Sequence, residues 1–107
     1  MNTTPEGINQ LQLTGEVISE PKTRKSPAGI SITRFTLDHQ SIQQEAGTDR
    51  KVACRIVVVT CGADCQTWIK KGVRIEVKGF LSYESREQME TRLIIHAQHI
   101  KELKNLE

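Results

Sequence analysis

Apolar and polar residues alternate with a period of two along most of the chain, most clearly in Val73-Arg74-Ile75-Glu76-Val77-Lys78. Such a pattern describes a strand with one face in a core and one in water. This strand is predicted at about 73–81, with Gly79 ending or bending it. Trp68-Ile69-Lys70-Lys71 before it reads as the end of a short helix starting near Gly62, stopped by Gly72. Leu11, Leu13 and Val17 against Gln12, Thr14 and Glu16 give a first strand at about 10–18, bent at Gly15. A second, at about 30–40, has Ile30 and Ile32 on one parity and Phe35 and Leu37 on the other, which predicts a bulge near Thr33-Arg34. The third, at about 51–60, turns Val52, Cys54, Ile56 and Val58 inward and Lys51, Ala53, Arg55 and Val57 outward. The fifth, at about 92–100, sets Leu93, Ile95 and Ala97 against Arg92, His96 and Gln98.

Between these lie polar segments. Residues 1–9 have no periodicity and read as a frayed tail. Residues 20–29 hold Pro21, Pro27 and Gly29 and read as a loop ending in a turn. Residues 41–50 and 83–91 read as two long hairpin loops, and 102–107 as a charged tail with room for a last helical turn. The domain is thus expected to span 10–101. Its order is β-β-β-α-β-β, with long hairpins between strands two and three and between four and five. That is an all-β, five-stranded Greek-key OB-fold barrel with one short helix between strands three and four.

Composition narrows the reading only slightly. At 107 residues the chain holds one domain with a core. Its formal net charge is only +2, so a basic face has to come from spatial segregation. No apolar run approaches the roughly 20 residues that span a bilayer. The first residues show no basic and apolar signal pattern, so a cytoplasmic protein is expected. An odd cysteine count, Cys54, Cys61 and Cys65, argues against a disulfide framework. Cys61-x3-Cys65 with His96-x2-His99 raises a zinc site. Against it, Cys54 points to the core by parity, and His96 and His99 face opposite sides of a regular strand. There is no G-x-S-x-G, P-loop or G-x-G-x-x-G sequence, so neither an enzyme nor a cofactor is expected.

Gly29-Ile30, Phe35-x-Leu37-x-His39, Gln44-Glu45-Ala46-Gly47, Gly72-x-x-Ile75-x-Val77-x-Gly79-Phe80 and Leu93-x-Ile95-His96-Ala97 together carry a resemblance. In order and spacing they resemble the primosomal replication protein N (PriB) family, itself similar to the bacterial single-stranded DNA-binding protein, SSB. The resemblance covers about residues 10–100. It implies a homodimer of OB-folds that binds single-stranded DNA (ssDNA) and bridges the PriA helicase and DnaT in replication restart. SSB usually carries a long linker and an acidic tail tip, and this chain stops after the fold, which favours the PriB type. Two departures bear on function. Family aromatics near the start of strand three are matched here by Thr48 and Ala53. The last hairpin, lysine-rich in the family, holds Glu84, Glu87 and Glu90 beside Arg86 and Arg92. Stacking on a ring is worth roughly 1–3 kcal/mol per base, so weak ssDNA binding, carried by phosphate contacts, is predicted.

The candidate ssDNA-binding residues follow. Lys22, Arg24 and Lys25 lie in the strand 1–2 loop, where cations add a salt-dependent term. Arg34, Lys51 and Arg55 lie on the outward parity of strands two and three, the usual OB binding face. Arginine also stacks on bases. Lys78, Tyr83, Arg86 and Arg92 lie on or beside the last hairpin, with Tyr83 the best remaining stacking residue. Phe35 and Trp68 are assigned to the core, and Phe80 is turned inward if Gly79 bends the strand. The same charges equally suit the wet side of any amphipathic sheet. A protein-interaction OB-fold and an SSB-like coat protein are the competing readings.

Overall fold

The inward parity of each strand forms the core, as the alternation requires. Val17, Phe35, Leu37, Val58, Ile75, Val77 and Ile95 are fully or almost fully buried, with Trp68, Leu81 and Ile100 packed around them. The computed structural model describes residues 6–62, 67–85 and 91–104. The elements are β1 (Leu11–Val17), β2 (Lys22–Lys25), β3 (Ser31–Glu45), β4 (Thr48–Cys61), β5 (Arg74–Ser85) and β6 (Thr91–Glu102). They hydrogen-bond in the order β1-β5-β6-β4-β3-β2. All pairs are antiparallel except β4 with β6, where Val57 faces Ile94 and Val59 faces His96. β1 pairs with β5 from Leu11 to Glu16 and with β3 at Glu16 and Val17, which closes five strands into a barrel. β2 adds a short strand on the β3 edge, Lys22 facing Arg34 and Lys25 facing Ser31. This is the expected all-β OB-fold architecture.

Two glycines permit the closure. A Cβ on Gly15 would lie 2.4 Å from the Asp38 carbonyl oxygen, where β1 passes from β5 to β3. A Cβ on Gly79 would lie 1.8 Å from the His96 carbonyl oxygen, beside a register shift between Lys78 and Gly79. Gly79 thus bends its strand without ending it.

Several expectations are corrected. No helix occupies the described part of 62–71: residues 67–68 and 71–72 are turns, and 63–66 lie outside the described residues. Thr67, Trp68 and Ile69 are weak helix formers, and a single turn does not nucleate alone. Gly72 does adopt a left-handed backbone, φ 99°, but within a turn in which the Val73 amide donates to the Lys70 carbonyl at 3.1 Å. Its own amide donates to the Val17 carbonyl at 2.7 Å, which ties the turn to β1. The predicted bulge at Thr33-Arg34 is absent. β3 runs against β4 in unbroken register, with Thr33, Phe35, Leu37 and His39 inward and Ile32 outward. The fold accepts a polar Thr33 inside because its hydroxyl lies 2.9 Å from that of Thr23.

The predicted loop 41–50 is instead a β-ribbon. Glu45 pairs with Thr48, and only Ala46 and Gly47 turn, with φ of 54° and 81°. Its residues are polar because the ribbon leaves the barrel and meets water on both faces, so polarity there does not mark a loop. For the same reason Cys54, expected in the core, is exposed opposite His39. At the ribbon root the His39 ring is buried. Its Nδ1 lies 2.7 Å from the Thr14 carbonyl and its Nε2 2.7 Å from the Ser41 hydroxyl. A carbonyl only accepts, so Nδ1 carries the proton. The last hairpin is likewise longer in strand than expected: β5 reaches Ser85, and β6 takes in Lys101 and Glu102 where a helical turn had room. At the other end the Asn9 side chain exchanges two hydrogen bonds with the Leu81 backbone, at 2.7 and 2.9 Å.

Candidate nucleic-acid interface

The outer face of the sheet carries the charge. β2 runs antiparallel beside the start of β3, so Lys22 and Arg24 stand next to Arg34 and Ile32 on that face. A groove of about 570 Å³ opens there, lined by Ser19, Glu20, Lys22, Thr23, Arg24, Arg34, Thr36, Val57 and Arg92. Of the ten candidate residues it gathers Lys22, Arg24, Arg34 and Arg92. They come from three separate strands. The Ser19 hydroxyl accepts the Thr36 amide at 2.8 Å, and the Ile18 amide donates to the Thr36 carbonyl at 3.0 Å, which holds the approach to β2 against β3.

Arg34 is not free in this groove. Its Nη1 donates to Glu84 Oε2 at 3.0 Å and its Nη2 to Glu84 Oε1 at 2.5 Å, a two-pronged ion pair with both side chains about a quarter exposed. The hydrogen bond to Glu84 raises the Arg34 pKa above its ordinary value; burial opposes it and the carboxylate charge adds to it. The pair spans the sheet, since β4 and β6 lie between β3 and β5. Flat strands would put the two residues about 14 Å apart, at roughly 4.8 Å per strand. Arg34 and Glu84 therefore reach each other across the outer face of β4 and β6. Val59 and Ile94, on that same outward parity, are 5% and 4% exposed, which is unusual for the wet side of a barrel. The long arginine stem readily covers apolar surface of this kind.

The outward parity continues along the β3–β4 ribbon. Arg55 Nε donates to Asp38 Oδ1 at 3.2 Å, with the arginine largely exposed. Beyond it Lys51 and Ala53 line a shallow recess with Gln40 and Ile42. Thr48 and Ala53 are both exposed and offer no ring, and the Thr48 hydroxyl donates to the Glu45 carbonyl at 2.9 Å. Lys25 is exposed on the opposite parity of β2 from Lys22 and Arg24. Lys78 lies elsewhere, in a recess with Gln10, Gln12 and Gln98. Tyr83 is 64% exposed and stands opposite the equally open Leu93 on β6, outside the groove. Arg86 lies outside the described residues.

Phe80 stays on the outward face, half-buried, and stacks on His96 with centroids 4.9 Å apart and planes 13° from parallel. The bend at Gly79 does not turn it inward. The register shift there also overturns the expected separation of His96 and His99. These pair with Phe80 and Lys78, two residues apart, and so share the outer face. Cys65 lies outside the described residues. Among the described residues no group of three or more His, Cys, Asp or Glu side chains is placed to hold a metal ion.

Sequence reasoning missed Asp38 as the partner of Arg55 and Glu84 as the partner of Arg34. The second pair is 50 residues apart, and only the strand order brings it together.

Comparison with known proteins fits this geometry. Residues 9–99 match the model of a family described as another single-strand binding protein family. The chain is 38% identical over 96 residues to the replication restart protein PriB of Photobacterium profundum, covering 87% of this chain and 92% of that one. Its structure is similar to that of the protein PriB from Ralstonia solanacearum, with a TM-score of 0.75 and 28% identity over 90% of this chain and 98% of the other. It is also similar to the single-stranded DNA binding protein from Thermus aquaticus, with a TM-score of 0.74 and 28% identity over 94% of this chain. There the chain spans about half of the relative's length, 52%. With a family model matching nearly the whole domain and relatives of this identity and coverage, the chain belongs to the single-strand binding protein family, among its replication restart proteins of the PriB type.

Proposed function

We propose that this chain is a non-enzymatic, ssDNA-binding accessory protein of the replication restart primosome. In this reading it acts in the cytoplasm as a homodimer and bridges ssDNA, the PriA helicase and DnaT. The observation that carries the reading is the convergence of Lys22, Arg24, Arg34 and Arg92 on one groove of the outer face. Four cations within one groove suit a phosphate backbone, and Arg55 and Lys51 extend the same face along the ribbon. Tyr83, Lys25 and Lys78, outside the groove, are assigned lesser roles. The open ribbon offers no aromatic platform at Thr48 or Ala53, so affinity rests on charge and is modest and salt-dependent.

Fluorescence anisotropy of a labelled oligo-dT, titrated at several salt concentrations, tests this. Wild-type binding should fall steeply with salt. An Arg24→Gln/Arg92→Gln variant should bind more weakly, with the slope of log K against log salt shallower by about 1.4, or roughly 0.7 per lost cation. Saturable binding that ignores salt, or that the double variant leaves unchanged, would remove the groove from the reading. The exposed Arg50–Glu45 and Arg55–Asp38 pairs favour a second reading, a protein-docking OB-fold with little DNA binding. Absence of any saturable binding at low salt would select it.

A further inference from the structure

Arg34 lines the groove, and its partner Glu84 lines a recess beside it. That recess is lined by Arg24, Ile32, Arg34 and Glu84, so groove and recess share Arg24 and Arg34. A carboxylate held in two-pronged fashion by a guanidinium presents two oxygens in the geometry in which a phosphate presents its own. Glu84 also comes from β5, with β6 and β4 between it and Arg34 in the sheet. Arginine binds phosphate better than lysine does, because its fork matches the anion. In this structure the Arg34 fork is filled by Glu84.

We infer that Glu84 is an internal occupant of the phosphate site: the β5–β6 hairpin places its carboxylate where a backbone phosphate of ssDNA binds, and nucleic acid gains Arg34 only by displacing it. This rests on the groove being the ssDNA path. The competition is between two anions for one guanidinium, so the protein holds its affinity below what its four groove cations would give.

The test uses the whole chain and an unlabelled competitor series against labelled oligo-dT. Glu84→Gln keeps the shape of the side chain and removes its charge. It should tighten binding roughly three- to tenfold and steepen the salt slope by about 0.7, one phosphate contact more. Placed in an Arg34→Met background, the same substitution should give no gain, because the released guanidinium is gone. Melting curves check that each variant folds, and Glu84→Ala should repeat the direction of Glu84→Gln. Unchanged or weaker binding by Glu84→Gln would mean that the carboxylate orients Arg34 for DNA, and the inference falls. A gain that persists with Arg34→Met would mean simple repulsion between Glu84 and the strand, which also overturns it. If neither wild type nor any variant binds, the groove reading itself fails, and this inference with it.

Discussion

At Gly79 any side chain meets the His96 carbonyl, because the ideal Cβ position is 1.8 Å from that oxygen. Gly79→Ala must therefore push β5 away from β6 at the register shift. The expected cost is about 3 kcal/mol, at the upper end for overpacking, read from urea denaturation. Ala46 is the opposite case. It holds φ 54°, a conformation that favours Gly, Asn or Asp in two-residue hairpins, with Gly47 beside it. Ala46→Asn should stabilise the fold by about 0.5–1 kcal/mol, seen as a raised melting temperature. Gly79 announced itself in the sequence as a glycine interrupting an alternating strand. Ala46 did not, since nothing about an alanine signals a left-handed backbone. The raised pKa of Arg34 carries its own sign. A group whose folded pKa lies above its unfolded one stabilises the fold below the unfolded value and loses that contribution as pH rises through the folded value. For an arginine this window lies far on the alkaline side, so the Arg34–Glu84 pair gives no arginine-linked pH dependence near neutrality.

Among the elements, the barrel strands were legible and their extensions were not. Val73-Arg74-Ile75-Glu76-Val77 alternates because one side of it faces a core, and the same holds for Leu11–Val17. Beyond the barrel that constraint vanishes. Ser41 to Arg50 is a two-stranded ribbon wet on both faces, so its composition reads as a loop while its two strands pair with each other up to Glu45 and Thr48. β2 escaped for the same reason, four exposed residues with no buried parity to betray a strand. The pairing of β2 with β3 nonetheless decides the site, because it sets Lys22 and Arg24 beside Arg34. The reading of the last hairpin by its charge count was blind to the single contact that matters there, Arg34 with Glu84. A contact across three strand spacings has no local trace in sequence.

The whole molecule is closed by distant partners. Gly15 pairs with Ile75 and Glu16 with Arg74, sixty and fifty-eight residues away, and β4 meets β6 in parallel. Closing such loops precedes any reward from the contacts they make. Refolding from urea should accordingly fall in the range of roughly milliseconds to seconds, as for barrels dominated by non-local pairs, and a microsecond phase carrying the full amplitude would contradict this. The β3–β4 arm adds a mechanical consequence. From His39 to its tip at Ala46 it runs seven residues, or roughly 23 Å at about 3.3 Å per residue, with no second strand bonded to either side among the described residues. A load applied at the tip thus acts on a long lever whose fulcrum is the buried imidazole of His39. That ring clasps β1 through Thr14 on one side and the arm through Ser41 on the other, so torque from anything seated on the arm is delivered to the strand that closes the barrel.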